Sequence, residues 1–84
     1  MTDRELCRGF GENLRRCREG AGLSLDGLGD RANLHRTEIQ KLENAKREPR
    51  LGTIVKVAAG LRVSPCHLLE GLDASPILQE THRV

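Results

Sequence analysis

Aromatic side chains are almost missing from this chain of 84 residues, which has no tryptophan, no tyrosine and one phenylalanine, Phe10. Leu, Ile, Val and Ala must therefore fill the core, and aliphatic residues at helical spacing suit a compact helical bundle. The length is enough for one small domain with a single core. No apolar run approaches the roughly 20 residues that a membrane-spanning helix needs. The start of the chain mixes charges with glycine and lacks the pattern of an export signal. The three cysteines, Cys7, Cys17 and Cys66, are odd in number and have no paired spacing, and Cys66-His67 alone does not make a zinc framework. We read all three as reduced thiols of a cytoplasmic protein, with Cys17 directed to the core. No Ser-His-Asp set, paired carboxylates or glycine-rich phosphate loop occurs, and Gly9-Phe10-Gly11 is not followed by the spacing of a nucleotide loop. No enzymatic activity, cofactor or metal is expected.

Charge is not short, but its sum says little: the net value is +2. Its placement says more. Arg31, Arg36, Lys41, Lys46, Arg47 and Arg50 outnumber Glu38, Glu43 and Glu48 in the middle of the chain. Glu70, Asp73 and Glu80 outnumber Arg83 at the end. A local cationic surface of this kind is the footprint of a nucleic-acid partner.

Along the chain, residues 1–7 show no clear periodicity. From Arg8 to Glu19, Phe10, Leu14, Cys17 and Ala21 form one apolar stripe of a first helix, which Gly20 and Gly22 end. Ser24 is a natural N-cap for a second helix with Leu28 and Ala32 facing inward, and Asp26 favours its positive end. Small residues suit a close approach between helices, and Gly29 fits that role better than Gly27. Asn33 tolerates the left-handed conformation needed to end that helix and turn sharply into the next. A third helix follows from Arg36 to Asn44, with Ile39 and Leu42 inward and a polar first turn. Pro49 disfavours helix at Glu48. Leu51, Ile54, Val55, Ala58 and Leu61 give a fourth helix a wide apolar face. Ser64-Pro65 restarts a short fifth helix anchored by Leu68 and Leu69. Leu72, Ile77 and Leu78 lie in an acidic, partly apolar tail.

Five helices in this order resemble the lambda-repressor-like, Cro-type helix-turn-helix family. The resemblance covers roughly Phe10 to Gly71. Its most specific part is Ile39-Gln40-Lys41-Leu42-Glu43-Asn44-Ala45-Lys46-Arg47-Glu48-Pro49, similar to the family signature I-x-x-hydrophobic-E-x-G-x-x-x-P. Leu51, Ile54, Val57, Ala58, Leu61, Val63 and Ser64 match the family's next run. The chain departs from the pattern at Leu25, where many members carry Gln, at Ala45, and at Asn33. Ala45 in place of glycine suggests a slightly altered loop.

The resemblance implies an all-α, five-helix lambda-repressor-like bundle that reads duplex DNA with its third helix. The matching base-reading positions are His35, Arg36, Thr37, Gln40 and Lys41. Arg suits guanine and Gln suits adenine, Thr37 suits a thymine methyl or a phosphate, and Lys41 suits a base or a backbone oxygen. We read His35 as a neutral hydrogen-bonding residue rather than a pH switch. Ser24, Asn44, Lys46 and Arg47 match backbone contacts, and Arg18 with Glu43 matches a structural ion pair of the family. The division expected is an N-terminal extension over 1–7, a DNA-binding domain over 8–72 and a C-terminal tail over 73–84. Homodimerisation on a near-palindromic operator is expected, since one helix-turn-helix reads few base pairs. The candidates for self-association are Leu68, Leu69, Leu72, Ile77 and Leu78. Size and resemblance point to a small regulator, a repressor before an activator. The rival is an interaction module that uses the same scaffold to bind a protein partner such as a toxin or a sigma factor.

Overall fold

The fold was analysed in a computed structural model that describes residues 1–73; the expected tail residues Ile77 and Leu78 lie outside them. Five helices follow in order: α1 (Asp3–Gly20), α2 (Leu25–Ala32), α3 (Arg36–Glu43), α4 (Leu51–Leu61) and α5 (Pro65–Leu68). The start of α1 is a difference from the periodicity. Thr2 Oγ1 accepts the Glu5 N–H and Glu5 Oε1 accepts the Thr2 N–H, a capping box that starts the helix at Asp3 rather than near Arg8. Residues 3–7 of the segment expected as an extension thus belong to α1, and these bonds hold the Glu5 carboxyl below its ordinary 4.5.

One core joins the helices. Phe10, Leu14, Leu28, Ala32, Ile39, Leu42, Val57, Ala58, Leu61 and Leu68 are buried, with Cys17, Leu23, Leu25, Leu34, Ile54, Val63 and Leu72 packed against them. α1 lies on α3 and α5, while α2 lies on α3 and α4. Three expectations about this core change. Ala21 caps α1 and is exposed instead of completing its stripe. On α4, Leu51 and Val55 point out at 78% and 49% exposure, because Val57, Ala58 and Leu61 take the inward side. Leu68, a self-association candidate, is fully buried in its own chain's core and unavailable to a second copy; Leu69 beside it is 41% exposed.

The helix ends share one device. Leu23, Leu34, Lys46 and Val63 N–H groups donate back to the carbonyls of Arg18, Gly29, Lys41 and Ala58. The residue before each is left-handed: Gly22 (φ 71), Asn33 (φ 56), Ala45 (φ 56) and Arg62 (φ 59). Ala45 therefore adopts the backbone of the glycine it replaces.

α5 is held differently. Asn13 is 7% exposed and its Nδ2 donates to the carbonyls of Leu68 and Glu70, both at 2.9 Å. Those carbonyls end a four-residue helix that could not close them itself. No helix among the described residues is long and apolar enough to cross a membrane.

Candidate nucleic-acid interface

The turn between α2 and α3 depends on Gly29. Its carbonyl accepts the Leu34 N–H at 2.9 Å, and a Cβ on it would lie 2.6 Å from the Leu34 carbonyl oxygen. The chain therefore folds back on itself here because no side chain is in the way. Left-handed Asn33 supplies the reversal. Ile39 and Leu42 then fix the roll of α3, since both are buried.

Helical geometry puts Arg36, Thr37, Gln40 and Lys41 on the side opposite Ile39 and Leu42. All four are exposed, as is His35. His35 is the N-cap of α3: its Nδ1 accepts the Thr37 N–H at 3.1 Å, and its own N–H donates to Glu38 Oε1 at 3.4 Å. The bond accepted from Thr37 needs Nδ1 unprotonated, so a neutral His35 carries its hydrogen on Nε2 and offers a donor. Arg36 Nη1 lies 3.7 Å from Asp26 Oδ2 across the α2–α3 angle, with both side chains more than half exposed. From the sequence alone Asp26 is only a helix-end charge.

The backbone candidates sit at the two ends of α3. Ser24 Oγ caps α2 by accepting the Gly27 N–H and keeps its own O–H to donate. It lies near the start of α3, because Asp26 reaches Arg36. Asn44, Lys46 and Arg47 are exposed just beyond the far end of α3. Arg50, Thr53 and Lys56 border with Arg47 a groove that Leu34, Leu42, Glu38 and Glu48 also line. The spacing of three between Arg50, Thr53 and Lys56, from the N-cap of α4 into the helix, is the sequence signal for them.

Behind the surface, Arg18 and Glu43 lock α1 to the end of α3. Arg18 Nε and Nη2 donate to the two Glu43 carboxylate oxygens at 2.6 and 3.0 Å, and Nη1 donates to the Leu23 carbonyl at 2.9 Å. The side chains are 11% and 6% exposed. The Glu43 hydrogen bonds hold the Arg18 guanidinium above its ordinary value against the opposing effect of burial. Glu43 is thus committed to the scaffold. Burial pushes the Cys17 thiol up, away from the reactive thiolate. Cys7 is half-buried and Cys66 exposed. Among the described residues, no cluster of His, Cys, Asp or Glu could hold a metal ion.

An outward polar α3, set by a short turn on an aliphatic bundle, defines the helix-turn-helix class. Residues 14–68 match the helix-turn-helix (HTH_3) family model, and the chain belongs to that family. It is 38% identical over 71 residues to the SPbeta prophage-derived uncharacterized HTH-type transcriptional regulator YonR of Bacillus subtilis, covering 84% of this chain. The chain spans 66% of YonR's length. Among solved structures it is similar to the restriction-modification controller protein C.AhdI from Aeromonas hydrophila, with a TM-score of 0.72 and 32% identity over 74% of this chain and 94% of that one. It is also similar to the hypothetical transcription factor NHTF from Neisseria, at a TM-score of 0.75 and 28% identity, over 95% of this chain and 90% of that one.

Proposed function

We propose that this chain is a sequence-specific, double-stranded-DNA-binding transcriptional regulator, more suited to repression than activation, that reads the major groove with α3. The observation that carries this is the α3 surface: Arg36, Thr37, Gln40 and Lys41 stand together in solvent while Ile39 and Leu42 hold the helix in place. Regulators named among the relatives support it. In this reading Arg36 and Gln40 read bases, His35 donates from Nε2, and Thr37 and Lys41 meet base or backbone. Ser24 holds one phosphate wall; Asn44, Lys46 and Arg47 hold the other. The protein acts as a homodimer on a near-palindromic operator in the cytoplasm. Arg36 must exchange Asp26 for a base, which an exposed pair permits at little cost.

Selection of binding sites from a random duplex pool tests the assignment. Arg36→Ala is expected to relax the selected sequence, with about 1–3 kcal/mol of discrimination lost at one position of each half-site. Arg47→Ala is expected to weaken all duplexes alike. An unchanged preferred site in Arg36→Ala counts against α3 as the reader. Binding that ignores salt would favour the protein-partner module instead.

A further inference from the structure

The cationic surface does not stop at α3. Asn44 lies one helical turn beyond Gln40 on the same side and borders a cleft whose opposite wall is the N-terminal half of α1. Arg4 and Arg8, four residues apart and so on one side of α1, line that cleft opposite Asn44 and Lys46. Arg4 and Lys46 also border the adjoining hollow, together with Arg47. The acids present are Glu12 and Glu43 in the first cleft and Asp3 and Glu48 in the second. Glu43 is consumed by Arg18. Among the described residues, Arg4, Arg8, Lys46 and Arg47 enter no salt bridge.

Gly11 explains why α1 runs so close. A Cβ there would lie 2.6 Å from the carbonyl oxygens of both Leu42 and Glu43, so α1 meets the end of α3 backbone to backbone. Arg8, one turn earlier, is thereby placed beside the loop that leaves α3. An eight-residue helix is about 12 Å long, which is about the width of the major groove. With its first turn at the bases, its last turn stands at the sugar-phosphate wall. Arg4, Arg8, Lys46 and Arg47 gather there with no salt bridge closed to Glu12, Asp3 or Glu48, which leaves their charge free to meet a phosphate.

We propose that Arg4 and Arg8 bind the phosphodiester backbone of the duplex and extend the contact from α3 onto α1. The inference rests on the DNA-binding reading above. Both residues precede the segment matched by the family model, so that match assigns them no role.

Fluorescence anisotropy with a random-sequence duplex, over a series of salt concentrations, tests it. Each phosphate neutralised contributes about 0.9 to the slope of log affinity against log salt, so R4A/R8A is expected to be shallower than wild type by about 1.8. R4K/R8K is expected to keep the slope, and the preferred site in selection is expected not to move. The single variants R4Q and R8Q, each shallower by about 0.9, give the same reading should the double variant fold less stably. A wild-type slope in R4A/R8A, or a lysine variant as shallow as the alanine one, overturns the proposal and leaves DNA binding standing. A wild-type chain indifferent to the duplex at low salt overturns both.

Discussion

Glu43 shows how one residue can serve the interface without touching it. Its carboxylate is 6% exposed and takes two hydrogen bonds from Arg18, which also ties down the Leu23 carbonyl. Removing one partner leaves the other charge buried and unpaired, which costs about 3–5 kcal/mol. A domain of this size has only about 5–15 kcal/mol in total. Glu43→Gln keeps the shape and deletes the charge. It is expected to lower the melting temperature by about 12 °C or more, followed by circular dichroism. Replacing both residues with apolar ones, R18M/E43L, is expected to recover most of that loss, because no orphaned charge remains. A shift of only a degree or two in E43Q would mark an ordinary solvated pair. In the sequence this pair was visible only through the family resemblance, since Arg18 and Glu43 belong to helices far apart in the chain. Asn13 was not visible at all. A lone Asn on a helix looks solvated until the carbonyls of Leu68 and Glu70 are brought to it.

At the scale of the element, the legible features were those written in neighbouring residues. Ser24, Asn33 and Ser64-Pro65 mark boundaries because caps and turns are local chemistry, and the helices begin and end there. The start of α1 is equally local, in Thr2-Asp3-Arg4-Glu5, but the apolar stripe begins only at Phe10 and so marks a later start. The inward side of α4 was not legible. Leu51, Ile54, Val55, Val57, Ala58 and Leu61 cover more than one face, and periodicity alone cannot say which face meets α2. Gly60 decides it: a Cβ there would meet Leu28 Cδ1 at 3.2 Å and the Ala32 nitrogen at 3.3 Å. The left-handed helix ends lead to a second prediction. A non-glycine residue in that conformation costs about 1–2 kcal/mol, partly offset by the greater freedom glycine has when unfolded. Ala45→Gly is therefore expected to stabilise the fold by about 0.5–1 kcal/mol in urea unfolding. Asn33→Gly should change it less, because Asn tolerates φ 56 better than Ala does. No gain from Ala45→Gly would show that the Ala45 backbone is not strained.

For the whole molecule, the question is what covers the apolar side of α4. Leu51 and Val55 stand one turn apart and exposed, next to Ile54. Ile54 borders an apolar groove with Leu6, Phe10, Leu69 and Leu72. With Leu68 withdrawn into the core, this side becomes the stronger candidate for the contact between two copies, and Leu69 and Leu72 belong to its edge. A small core supplies little surplus stability, so burying these side chains against a second copy would add to folding as well as to operator affinity in the proposed homodimer. A two-fold contact places each residue against its own symmetry neighbourhood, so one charge introduced per chain acts twice. On the proposed homodimer, Val55→Glu is expected to shift sedimentation equilibrium toward monomer relative to the wild type, with helicity retained because the site is already 49% exposed. Operator binding should fall by about tenfold or more, since half-sites are then occupied without the gain from linkage. Binding to a single half-site should hardly change. Deleting residues 74–84 separates this surface from the tail: a dimer that survives Val55→Glu but not the deletion would place the contact beyond Asp73, and the α4 assignment would fall.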